Sequence, residues 1–149
     1  MAQVKTAVYL KEPLQTREQV FQFLAEKALE LGITTDQEAV YQALVTREKD
    51  GSTGMMDGFA IPHGKSPSIN EANIIIVTVT EGVEWDSMDG KPIEFILSMM
   101  IPEAEKGEGH LKILSQVARM LMKEKVKEEL KSASTPEAIT QIIEAQING

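Results

Sequence analysis

Cysteine is missing altogether. That excludes a disulfide framework, thiolate catalysis and a zinc site built on sulfur, and it fits a reducing compartment, so the cytoplasm is the expected location. No apolar run approaches the ~20 residues that a bilayer span requires, and the segment around Lys5 and Lys11 is too short and too polar for a signal peptide. Direct membrane insertion is therefore not expected. A basic surplus is missing as well: the formal net charge is −8, the wrong sign for a phosphate backbone, which rewards clustered Lys and Arg. The charge thus disfavours nucleic acid, and no nucleic-acid partner is expected, while a basic protein surface remains compatible with it, as does mere solubility. No internal repeat or low-complexity linker interrupts the chain. Its 149 residues, long enough to bury roughly 68–70% of the unfolded surface, are expected to form one domain, 1–149.

Histidine is scarce too, with only His63 and His110 present. His63 lies in the stretch on which the chain is organised, Arg47 to Lys65. Gly51, Gly54, Gly58, Gly64 and Pro62 surround a short apolar run there, and the pattern places His63 on a loop just past Phe59-Ala60-Ile61.

The flanking elements are legible from periodicity. Ala7-Val8-Tyr9-Leu10 reads as a short buried strand closed by Lys11-Glu12-Pro13. Thr16 and Gln19 form a capping box for a helix whose apolar stripe, Val20, Phe21, Leu24, Ala28 and Leu31, ends at Gly32. Thr35 and Glu38 repeat the capping pattern for a second helix, with Ala39, Val40, Ala43 and Leu44 on its apolar face and Arg47 at its C-terminal end. Beyond the glycine-rich stretch, Phe59-Ala60-Ile61 reads as a brief strand and Asn73 to Thr80 as a central one. Val83-Glu84-Trp85 and Pro92 to Leu97 flank the turn-forming Asp89-Gly90, as in a hairpin. Pro102 ends the last strand. A helix with the stripe Leu114, Val117, Ala118 and Leu121 follows, with His110 continuing the stripe at its N-terminus. Lys123 to Lys131 is either the frayed end of that helix or a short solvated one, and Pro136 opens a last helix facing the core through Ile139, Ile142 and Ile143. The expected fold class is α/β, a mixed, mainly parallel β-sheet of four or five strands sandwiched between helices.

The chemistry available in the central stretch suits phosphorus. A neutral imidazole attacks phosphorus well, and the product needs cations, hydroxyls and backbone N–H groups close by. Arg47 offers the cation, Ser52 and Thr53 the hydroxyls, and Gly51, Gly54, Gly58 and Gly64 allow close backbone approach. His110, at a positive helix end, is biased towards neutral and is able to bond His63 or its phosphate. Plainer roles exist for each residue. The plainer reading of His63 is a solvated loop residue, of His110 a satisfied core histidine, of Arg47 a charge complementing a helix end and of Ser52-Thr53-Gly54 a turn. Met55-Met56 and Met99-Met100 read first as core filling. Glu103, Glu105 and Glu108 near His110 lack ligand spacing for a metal. Spacing alone leaves function open.

Resemblance narrows it. Ser52-Thr53-Gly54 followed by Gly58-Phe59-Ala60-Ile61-Pro62-His63-Gly64 resembles the phosphorylation-site motif of the fructose/mannitol-type enzyme IIA domain of the bacterial phosphoenolpyruvate-dependent sugar phosphotransferase system (PTS). Arg47-Glu48 matches the family's Arg-Glu. Gly82-Val83-Glu84-Trp85 with Asp89-Gly90-Lys91-Pro92 resembles its next signature, and His110-Leu111 with Leu114 its second-histidine helix. Met56 and Phe59 depart from the usual small and aliphatic residues, which bears on the partner-facing surface. The resemblance implies a cofactor-free phosphotransferase step. On that resemblance His63 would be the nucleophile that takes a phosphoryl group from the histidine phosphocarrier protein (HPr) and passes it to an enzyme IIB of a membrane transporter for a fructose-like sugar or hexitol. Arg47 and His110 would assist, and Ser52, Thr53, Gly54 and Gly64 would bind phosphate. The alternative it leaves is a regulatory protein of the nitrogen-related branch, acting by binding other proteins.

Overall fold

The computed structural model describes residues 5–102 and 108–148, with side chains from residue 112 to 147 in the second stretch. Five strands form one sheet: β1 (Lys5–Glu12), β2 (Phe59–Ala60), β3 (His63–Ser66), β4 (Asn73–Val83) and β5 (Ile93–Pro102). Its order is β1-β4-β5, with β2 and β3 both on the outer side of β5. β1 runs parallel to β4, β2 and β3 run parallel to β5, and only the β4/β5 pair is antiparallel. The sheet is thus mixed and mostly parallel, as the sequence leads one to expect.

Helices cover both faces. α1 (Arg17–Glu30) and α2 (Gln37–Lys49) lie on one side, where Val20, Leu24, Val40 and Leu44 meet Ile75, Val77 and Ile96. α3 (Glu108–Met120), α4 (Glu124–Ser132) and α5 (Pro136–Asn148) lie on the other, where Val117, Leu121, Leu130 and Ile139 meet Ile74, Ile76 and Leu97. The alternation along β4 explains its near-continuous apolar run, because successive residues serve opposite cores. No helix among the described residues is long and apolar enough to cross a membrane.

Local chemistry sets the boundaries. The Thr16 side chain accepts from the Gln19 N–H while Gln19 Oε1 accepts from the Gln15 N–H, which closes the start of α1. Its end is a Schellman pattern, with Ile33 N–H bonded to Ala28 O at 2.9 Å and Gly32 N–H to Leu29 O at 3.1 Å.

Four expectations need correction. The N-cap of α2 is Asp36, not Thr35: Asp36 Oδ1 accepts from the Ala39 N–H at 3.1 Å. His63 is not on a loop but opens β3, opposite Met99, in the register that pairs Phe59 with Phe95. β2 and β3 are therefore one edge strand interrupted at Ile61-Pro62, where proline has no N–H to give the ladder and its carbonyl still accepts from Met99 N–H. Residues 124–132 form a short separate helix, one of the two expected alternatives, but it is not simply solvated: its Lys127 is buried and donates to Asp57, tying α4 to the turn before β2. Finally, Phe59 is a core residue packed against Phe95, while Met56 stays 48% exposed.

That contrast is measurable. Phe59→Ala is expected to cost about 3–5 kcal/mol in chemical denaturation, and Met56→Ser to stay within about 0.5 kcal/mol of wild type. Equal losses for the two would place Met56 in the core as well.

Candidate active site

α2 delivers two adjacent polar side chains at its last turn. Val40 and Leu44 set its buried stripe, and four residues on the same stripe carries Glu48 inward, leaving it 8% exposed. Arg47, one position earlier, projects towards the sheet edge instead and donates from Nε to His63 Nε2 at 3.1 Å.

β3 comes within reach because of Gly64. A Cβ there would stand 3.2 Å from the Ala43 backbone carbonyl, so any larger residue would push the strand and α2 apart by a few tenths of an ångström. The expected phosphate-binding residue Gly64 is thus seen first as a packing contact.

His63 is half-buried and held at both nitrogens. Nδ1 lies 2.8 Å from the Ile61 carbonyl oxygen, which only accepts, so the proton sits on Nδ1. Nε2 then carries the lone pair, and it accepts from Arg47. The neutral ring is favoured: burial lowers the His63 pKa below its ordinary value, and the Arg47 charge lowers it further against the opposing pull of the Ile61 carbonyl and of Glu48.

The loop between α2 and β2 is held by the same two residues of α2. Arg47 Nη1 donates to the Gly51 carbonyl at 2.8 Å. Glu48 accepts the Thr53 N–H at 2.9 Å, the Thr53 hydroxyl at 2.5 Å and the Trp85 indole N–H at 3.1 Å, with Arg17 Nη1 3.8 Å away. Both donors of Thr53 therefore point into the fold, not towards His63. The Gly54 N–H is taken by Ser52 Oγ at 3.0 Å, and a Cβ on Gly54 would collide with Ser87 Cα and Trp85 Cδ1 at 2.9 Å. Exposed Ser52 keeps its own hydroxyl proton to offer. His110 falls in the first turn of α3, and its side chain lies outside the described residues.

A neutral imidazole with its proton pinned at one nitrogen and a guanidinium at the other is an arrangement for nucleophilic attack on an anionic electrophile. The family model for "Phosphoenolpyruvate-dependent sugar phosphotransferase system, EIIA 2" matches residues 4–146. This chain belongs to that EIIA family. It is 34% identical over 91% of its length to the "PTS system fructose-specific EIIA component" of Haloferax volcanii, 88% of which is covered. Among solved structures it is similar to the nitrogen regulatory protein IIA-Ntr of Neisseria meningitidis, with a TM-score of 0.82, 30% identity and 92% of each chain covered. It also shares the fold of enzyme IIA Mtl solved in complex with phosphorylated enzyme IIB Mtl from Escherichia coli, with a TM-score of 0.74, 19% identity and coverage of 93% and 94%. EIIA domains are phosphotransferase components, and the family match accounts for the resemblance carried by Arg47-Glu48 and Ala60-Ile61-Pro62-His63.

Sequence reasoning missed the part played by Glu48 in this EIIA chain. The signal was present, since an acidic residue four beyond Leu44 on an apolar stripe must be buried and must therefore be paired.

The electrostatics can be checked by titration. The NMR midpoint of His63 is expected below the ordinary value of about 6.5, and Arg47→Ala should raise it only part of the way, because burial is the larger cause. The unfolded chain takes the proton first as pH falls, so this contribution to stability is complete above about pH 6.5 and declines below it. A midpoint above 6.5, with stability unchanged across that range, would contradict this.

Proposed function

We propose that this EIIA chain is a phosphocarrier in which His63 Nε2 accepts a phosphoryl group from phosphorylated HPr and passes it to an enzyme IIB, in uptake of a fructose-like sugar or hexitol. One observation carries the proposal: Nδ1–H is held by the Ile61 carbonyl while the Nε2 lone pair faces the Arg47 guanidinium. The sugar class is supported by the name of the Haloferax relative, and the IIB acceptor by the partner of the mannitol domain.

The step balances without a cofactor. The Nε2 lone pair leaves the Arg47 hydrogen bond and forms the new N–P bond, and the donor's N–P bond breaks with its electron pair returning to the donor nitrogen. Arg47, displaced from Nε2, is then beside the phosphoryl oxygens, where a planar donor fork gains charge-assisted hydrogen bonds. Ser52 adds a hydroxyl, and Thr53, Gly54 and Gly64 act by shaping the wall of the site. The Ile61 carbonyl keeps the Nδ1 proton and stabilises the positive charge that the ring acquires on phosphorylation. In the second transfer the IIB nucleophile forms its bond to phosphorus while the Nε2–P bond breaks, its electron pair returning to Nε2 and leaving the ring neutral. His110, as the family's second histidine, is assigned to that second transfer, so His110→Ala should still be labelled.

A second reading, regulation through protein binding, is favoured by the likeness to IIA-Ntr. The two separate in one assay with radiolabelled, phosphorylated HPr. Wild type should take label and lose it to the IIB of a fructose-type transporter, whereas His63→Ala should take none. Arg47→Lys, which keeps the charge and loses the fork, should be slower by about 10-fold or more. Label that enters His63→Ala would sink the proposal, and label that stays on the wild-type chain with every fructose-type, mannitol and galactitol IIB would favour the regulatory reading.

A further inference from the structure

Glu48 has no place in the transfer step, yet it makes more side-chain hydrogen bonds than Arg47. Three donors converge on its buried carboxylate, two from Thr53 and one from Trp85. From there a chain of contacts leads to the reacting ring. The Thr53 carbonyl accepts from the Ile61 N–H at 3.0 Å, and the Ile61 carbonyl accepts from His63 Nδ1 at 2.8 Å. His63 Nε2 then meets Arg47, the residue before Glu48, so the contacts close a ring through the last turn of α2.

We propose that Glu48 is a positioning residue for phosphoryl transfer: by holding Thr53 it fixes the Ile61 carbonyl, and through that carbonyl it keeps the His63 proton on Nδ1 and the lone pair on Nε2. This rests on the phosphocarrier reading of His63. Among the described residues the Ile61 carbonyl takes no backbone hydrogen bond, since the ladder to β5 uses the Pro62 carbonyl instead. The Gly54–Ala60 bridge fastens the loop to this stretch through two bonds, Ile61 N–H to the Thr53 carbonyl and Met55 N–H to the Phe59 carbonyl at 2.8 Å. Without the carboxylate, three buried donors lose their acceptor and Thr53 is free to withdraw. The Ile61 carbonyl then shifts relative to the ring, and the tautomer is no longer specified.

Glu48→Leu keeps the volume and removes both acceptor oxygens. Glu48→Gln keeps one oxygen for the two N–H donors and turns its amide to the Thr53 hydroxyl, which can accept as readily as donate. Two readouts are taken on the full chain: the initial rate of labelling from phosphorylated HPr, and the His63 tautomer from imidazole 15N shifts. Wild type should show Nδ1–H. Glu48→Leu should show a mixture containing Nε2–H and label about 10- to 100-fold more slowly, and Glu48→Gln should recover most of the rate and the wild-type tautomer.

Should Glu48→Leu fail to fold, Thr53→Val decides by the same readouts, because it removes only the hydroxyl. A tautomer shift with slower labelling supports the proposal, and wild-type behaviour overturns it. A folded Glu48→Leu that keeps either the wild-type tautomer or the wild-type rate overturns it too, since a loss of rate with the tautomer intact would be a general loop effect. If wild type itself takes no label, the phosphocarrier reading fails, and the tautomer readout alone decides what Glu48 does.

Discussion

The hydrogen bond from His63 Nδ1–H to the Ile61 carbonyl is the constraint on which the site depends. An imidazole in water exchanges its proton between two nitrogens and is part-charged near neutral pH. Here the carbonyl decides the tautomer and burial favours the uncharged form, so the ring is held neutral with its lone pair on Nε2, as the proposed nucleophile requires. In the proposed transfer the Arg47 hydrogen bond at that nitrogen costs little, because the same guanidinium would serve the phosphoryl group that displaces it.

The fold makes this possible by putting the ring at a break in an edge strand. A central strand would commit both backbone neighbours to the ladder, whereas here the pairing with β5 lapses after Ala60 and resumes at the Pro62 carbonyl in the same register. Proline guarantees the break and the Pro62 carbonyl ends it. Gly64 then allows β3 to lie on α2, which brings the last helical turn to the ring. The loop after α2 is fastened at three points: by Arg47 and Glu48 to the helix, by the Asp57 N–H to Asp89 in the β4/β5 connection, and by the Asp57 side chain to Lys127 on α4. On the proposed reading, in which the site meets a donor and then an acceptor, such fastening helps, since a preformed arrangement avoids ordering cost at each encounter.

Much of this was legible in the sequence. The helices of the first half carried capping and stop residues, β4 carried β-branched residues on both faces, and Asp89-Gly90 marked the hairpin. What escaped had a physical reason. His63-Gly64-Lys65-Ser66 has none of the composition of a strand, because its edge position asks for hydrogen bonds more than for apolar burial. Lys127 looked solvated in its charged helix, since its partner Asp57 is seventy residues away in sequence. Thr35 lost the cap to Asp36 by one position, the usual uncertainty when adjacent residues both cap well. At the site, Arg47 and His63 were singled out together and stand in contact, while Thr53 was singled out for its hydroxyl and spends it on Glu48.

The account stands or falls on which nitrogen takes the phosphoryl group. Phosphorylation of the full chain by phosphorylated HPr, followed by peptide mapping and 31P–15N NMR at neutral pH, locates it directly. The geometry predicts one phosphoryl group, on Nε2 of His63, with the Nδ1 proton retained. A phosphoryl group on Nδ1, or on His110, would contradict it.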